Sequence, residues 1–199
     1  MSTGSDTSAA GTSAANMSAA DTSASDVLAF WRAAGPAKWF KKDSAFDAEI
    51  MSRFAPLWRD AAAGSLAGWE AAAESTLALV IVLDQFPRNM FRGKADAFAT
   101  DALGRGAAER AIARGFDQKV PASERLFFYL PFEHSESLAD QERAVALVGT
   151  LGNPDLTRWS ELHADVIRRF GRFPHRNSAL GRATTREEQE YLDAGGFAG

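Results

Sequence analysis

The sequence predicts an all-α domain, an antiparallel array of helices. Three observations carry this expectation. Apolar residues recur at helical steps, as in Phe46, Ile50, Phe54, Leu57 and Trp58. The segments they mark open on Ser, Thr, Asp or Asn and close at Gly or Pro, the residues that cap and stop helices. The one strand-like run, "LALVIVL" at 77–83, has Pro87 just beyond it and no second such run to pair with, so helix is preferred over strand.

Taken in order, the first 25 residues are nearly all Ser, Thr, Ala, Gly, Asp and Asn. They lack the large apolar side chains that offset ordering entropy, and the basic start and apolar run of a secretory signal. Residues 1–25 are therefore expected to be a disordered tail and 26–199 a single all-α domain. Ser25 can cap "DVLAFWRAAG", which Gly35-Pro36 stops. Asp43 or Ser44 can cap the next helix, in which Pro56 predicts a kink and which Gly64 ends. A third helix runs from about Glu74 to Gln85 and is expected to end before Phe86-Pro87; apolar on all sides, it should be the central buried helix. Asp96 can cap "AFATDALGRGAAERAIARG", closed by Gly115. Pro121 opens "ASERLFFYL", limited by Pro131. "SLADQERAVALVGTLG" follows, and after Asn153-Pro154 comes "DLTRWSELHADVIRRF", with Leu156, Trp159, Leu162, Val166 and Phe170 as its expected inward face. Thr185 with Glu188 forms a capping box for a short last helix. Short loops between such helices make neighbours antiparallel.

Bulk properties narrow the function classes. The formal charge is -4, and Asp6, Asp21 and Asp26 precede the first basic residue, Arg32, so the body is nearly neutral and no nucleic-acid partner is expected. No apolar run approaches the roughly 18 residues of a membrane span, so no membrane partner is expected either. Cysteine is absent, which fits a cytoplasmic setting and excludes thiolate metal sites. The sequence carries no signal for oligomeric state.

Two stretches look like versions of one device: Phe86-Pro87-Arg88-Asn89 and Phe173-Pro174-His175-Arg176-Asn177. Proline disfavours helix at the residue before it, so each Phe reads as an apolar anchor at a helix exit. Arg88 and Asn89 can then satisfy free carbonyls at the helix end. The second copy is denser, with Arg172, His175, Arg176, Asn177 and Arg182 close together and no acid among them. Such donors suit a carboxylate or phosphate, or equally buried acids of the fold such as Asp84, Glu133 and Glu136. A third stretch, Glu133-His134-Ser135-Glu136, follows Pro131. His134 or His175 could act as general base with Glu133 or Glu136 as partner. No Gly-x-Ser-x-Gly elbow surrounds Ser135, which argues against a serine nucleophile. His134, His163 and His175 with Glu133 or Asp84 are metal-ligand types without metal-ligand spacing, so neither a metal nor a cofactor is expected. The three polar stretches are expected to face one shared pocket.

"VLAFW", "KWFKKDSAFDAEI", "LALVIVLDQFPRNMFRG", "DAFATD", "RLFFYLPFEHSESLADQER" and "HADVIRRFGRFPHRNSALGR" occur in this order. Over Val27 to Leu192 they resemble a bacterial family catalogued as domain of unknown function 924. The resemblance implies an all-α fold related to tetratricopeptide repeats. It marks Asp84, Gln85, Arg88, Asn89, Arg92, Glu133, His134, Ser135, Glu136, Arg172, His175, Arg176, Asn177 and Arg182 as motif positions, and it supplies no activity. The expected function is a helical binding protein that holds a small anionic molecule or a peptide carboxylate in a polar Arg/His/Asn pocket. The alternatives are an enzyme using His/Glu acid-base chemistry on an anionic substrate, and a purely structural polar network.

Overall fold

The fold is known from a computed structural model that describes residues 22–198. Among these the chain is all helical, an array with no strand. The first helix, α1 (Ala24–Ala34), is capped by Ser23 rather than Ser25. The reason is local: a capping box needs an acid at the third helical position, and Asp26 stands there only when Ser23 is the cap. The helix thus begins inside the stretch expected to be tail, and residues 1–21 lie outside the described residues. Gly35, at φ 68°, ends α1 and leads into the single turn α2 (Pro36–Trp39), which the sequence did not announce. Asp43 caps α3 (Ser44–Ala62), which carries Pro56 inside it and buries Phe46, Ile50, Phe54 and Leu57.

The central helix departs most from expectation. It does not end before Phe86-Pro87. After α4 (Ala73–Val80) the chain makes a π-helical turn (Ile81–Gln85) and continues as α5 (Phe86–Met90), with Phe86 itself helical at φ -58° and ψ -44°. Proline has no N–H to give to the carbonyl four residues back, and its ring crowds that carbonyl. The π turn inserts one residue: the Phe86 N–H bonds Ile81 O, five positions earlier. Two carbonyls are then met from outside the ladder. Leu83 O accepts from Thr100 Oγ1 at 2.5 Å, and Asp84 O accepts from Arg88 Nη1 at 2.6 Å. Thr100 Oγ1 also accepts from Trp58 Nε1 at 3.1 Å. Thr100→Val keeps the shape and strands both partners, so a loss of about 1–3 kcal/mol is expected in a denaturant melt. An unchanged midpoint would show that the bulge does not depend on Thr100.

Every residue from Leu77 to Leu83 is buried. Phe86 is enclosed by the rings of Phe30, Trp31 and Phe54 at 6.3, 5.8 and 4.8 Å between centroids. The next helix, α6 (Asp101–Ala113), begins at Asp101, not Asp96; Asp96 lies in a separate 3-10 turn, Ala95–Phe98. A Cβ at Gly104 would stand 3.4 Å from the Cβ of Asp84, so glycine lets α6 press against the π turn.

Helix α7 (Ala122–Glu133) runs past Pro131 to Glu133, again contrary to the local rule. It packs on α8 (Leu138–Gly149), and α8 on α9 (Pro154–Phe170), which Asn153 caps. The inward face of α9 is rotated from that expected: Ser160, Ala164, Val166 and Ile167 are buried, while Trp159 is 49% exposed. Small residues at 160 and 164 let α9 lie close to its neighbours, which turns Trp159 outward. The last helix, α10 (Arg186–Asp193), has the expected Thr185–Glu188 capping box. No helix of the described residues is long and apolar enough to cross a membrane.

Candidate functional site

Because the π turn carries the central helix on to Arg88, Asp84 and Arg88 lie one turn apart. Asp84 is fully buried. Its carboxylate accepts from Gln85 Nε2 at 2.7 Å and contacts His134 Nδ1 at 2.9 and 3.0 Å and Arg88 Nη1 at 3.3 Å. Burial alone would raise the Asp84 carboxyl, but Arg88 and His134 outweigh it and hold it well below the usual carboxylate range. His134 is in reach because α7 extends past Pro131 and leaves it at the helix C-terminus. Burial, with Arg88 beside it, lowers the His134 imidazole below its ordinary value despite the nearby Asp84.

On its other side Arg88 makes a two-pronged pair with Asp101, at 2.8 and 3.0 Å. Arg176 stands behind Asp101, its Nη1 3.7 Å from Oδ2. It is 6% exposed and lies over the rings of Phe98 and Phe173, 4.6 and 4.4 Å from their centroids. Its Nε is buried with no hydrogen-bond partner among the described residues. Burial, and then Arg88, lower its guanidinium to about 10.

A second polar group lies between α7 and α9. His163 Nδ1 is 2.8 Å from Trp159 O and 3.2 Å from Glu133 Oε1. A carbonyl can only accept, so that nitrogen carries the hydrogen. Burial raises Glu133 to about 7 and lowers His163 to about 4. His175, lowered to about 3 by burial and by Arg176, packs with Phe173 and Phe197; its Nδ1 is buried without a partner among the described residues.

The three polar stretches do come together, but as a packed network more than an open bowl. Most of the donors of the last loop close on acids of the fold. Arg182 holds Glu136 at 2.7 and 3.0 Å, and Glu136 also accepts from the Phe173 N–H at 2.8 Å. Arg172 holds Glu188 at 2.6 and 2.8 Å, joined by Asn177 at 3.2 Å. Asn177 in turn accepts from Arg182. Ser135 donates to Asp140 at 2.6 Å and accepts from the Ser137 N–H. Asn89 and Arg92 point away, to Asp47 of α3. Asp101, His163 and Asp47 complete these groups; all three fall inside the stretches that carry the resemblance, yet none was among the marked site positions.

Two concavities lie elsewhere. One, of about 260 Å³, is lined by Phe30, Phe46, Lys38 and Arg53; the other, of about 360 Å³, by Arg158, Trp159 and Leu162. Among the described residues no three His, Asp or Glu side chains are arranged to hold a metal ion.

Comparison with known proteins gives relatives without an activity. The model of a family described as "Bacterial protein of unknown function (DUF924)" matches residues 27–196. The solved structure of a protein of unknown function from Agrobacterium tumefaciens is 51% identical, with a TM-score of 0.83 over 86% of this chain and 97% of that one. No curated protein matches this chain.

Proposed function

The chain belongs to that bacterial family of unknown function, and we propose that it is a binding protein whose Arg176 grips a small anion, a carboxylate or phosphate borne by a small molecule or a peptide end. The observation that carries this reading is the state of Arg176. Arg172 and Arg182 each make a two-pronged contact with an acid. Arg176 is more buried than either, yet it meets Asp101 only beyond hydrogen-bond reach, and Asp101 is already held by Arg88. A guanidinium removed from water without hydrogen bonds destabilises a fold. A bound oxyanion would meet its forked donors and supply the missing charge.

Arg176→Leu tests this. Leucine between Phe98 and Phe173 leaves the Arg88–Asp101 pair intact. Stability should hold, or rise by about 1 kcal/mol, while binding of inorganic phosphate and acetate, followed by calorimetry, is lost. A stability loss of about 3–5 kcal/mol would mean that Arg176 serves the fold, as would a variant that binds both anions as well as the parent.

A further inference from the structure

We propose that His134 is the general base of this site, accepting a proton at Nε2 from the anion that Arg176 holds, with Asp84 as its positioning residue. This assignment rests on the anion-binding reading above. An ionised carboxylate accepts hydrogen bonds and cannot donate them, so the Asp84 contacts at 2.9 and 3.0 Å place the imidazole hydrogen on Nδ1. The lone pair is therefore on Nε2. That nitrogen has no hydrogen-bond partner among the described residues, and the side chain, 14% exposed, is not sealed from solvent.

Asp84 already takes a hydrogen bond from Gln85 and faces the charge of Arg88. What the pairing adds is a neutral, oriented base whose protonated form has a carboxylate waiting beneath it. The titratable and charged groups facing His134 include Asp84 and Arg88 from the central helix, Asp101 from α6 and His163 from α9. The two aspartates and Arg88 also link the base to the anion grip. His134 meets Asp84 at 2.9 Å, Asp84 meets Arg88 at 3.3 Å, Arg88 meets Asp101 at 2.8 Å, and Arg176 stands 3.7 Å beyond. One ion network thus carries a proton acceptor at one end and an under-used guanidinium at the other.

The substrate class that follows is a small carboxylate or phosphate ester with an acidic O–H or C–H bond beside its anionic group. In the step, that bond breaks and its electron pair stays on the substrate. The proton forms the Nε2–H bond, and the imidazolium is balanced by Asp84. The added negative charge on the substrate falls within the field of Arg176 and Arg88.

The test uses the full chain with ¹⁵N-labelled histidine, observed by NMR with inorganic phosphate and with acetate. The chain has 3 histidines, and His134→Gln assigns the signals. His134 should be the Nδ1–H tautomer and titrate below an ordinary histidine. Saturating phosphate or acetate should raise that titration by about one pH unit in the parent and leave it unmoved in Arg176→Leu. Asp84→Asn should release the tautomer. An Nε2–H tautomer in the parent overturns the general base, as does a titration that ignores an anion shown to bind through Arg176; both leave the binding reading intact. A tautomer unchanged in Asp84→Asn overturns the positioning role. Failure of both anions to bind removes the binding reading and this one with it.

Discussion

Replacing Asp84 by alanine is expected to cost about 3–5 kcal/mol, a large share of the 5–15 kcal/mol that holds a domain together. Asp84 is fully buried and is the acceptor for Gln85 and His134. Without it, two interior donors have no acceptor and Arg88 keeps only Asp101 as counter-charge. Stranding buried partners is what makes such a loss large, more than the worth of the ion pair itself. Asp47 is the fitting control. It also holds an amide and an arginine, Asn89 and Arg92, but Arg92 is 38% exposed. Asp47→Ala should therefore cost only about 1 kcal/mol. Denaturant melts of the two variants decide it. Equal losses would mean that burial of the Asp84 network adds nothing.

The helices were largely legible because their signals are local. The run at 77–83 announced the buried centre, and the Thr185–Glu188 box announced the last helix. What misled was a local rule overridden from a distance. Local rules make Pro87 and Pro131 helix limits, yet α5 and α7 pass through them. At Pro87 the compensation comes from Thr100, 17 residues from the carbonyl it satisfies, and nothing in "LDQFPRN" reveals it. Ser23 over Ser25 was legible in principle, since only Ser23 has an acid at the third helical position. The outward turn of Trp159 was not, because apolar spacing marks a stripe without saying which edge of it meets a neighbour.

The polar stretches were found as motifs, but their division of labour was not. Arg172, Arg176 and Arg182 look alike in sequence; two close on Glu188 and Glu136, and the third meets only an acid already taken. The difference lies in Asp101, which the sequence places inside a helix capped by Asp96 and which instead stands at the start of α6. Pairing His134 with a neighbouring glutamate also missed the contact that forms. Glu133 faces α9, and the partner is Asp84, 50 residues away.

Stability is expected to fall as the pH drops below 6.5, and Glu133→Gln is expected to steepen that fall. Burial lowers His163 to about 4 and His175 to about 3, and lowers His134 as well. An unfolded histidine takes up its proton near 6.5 while these stay neutral, so their contribution is present above 6.5 and is lost as the pH falls through the folded values. Glu133 runs the other way. Burial raises it from 4.5 to about 7, so the folded state gains its proton first on acidification; that contribution is complete below 4.5 and is lost as the pH rises through 7. Between those limits the proton gained at Glu133 offsets the one refused by His163, 3.2 Å away. Glutamine does not titrate, which removes the offset. Between pH 7 and 4.5 the variant should lose about 3 kcal/mol relative to the parent, at about 1.4 kcal/mol per pH unit. Urea midpoints of both proteins across that range give the answer. Parallel profiles would mean that Glu133 titrates as an ordinary carboxylate and that the pocket between α7 and α9 is wetter than its packing implies.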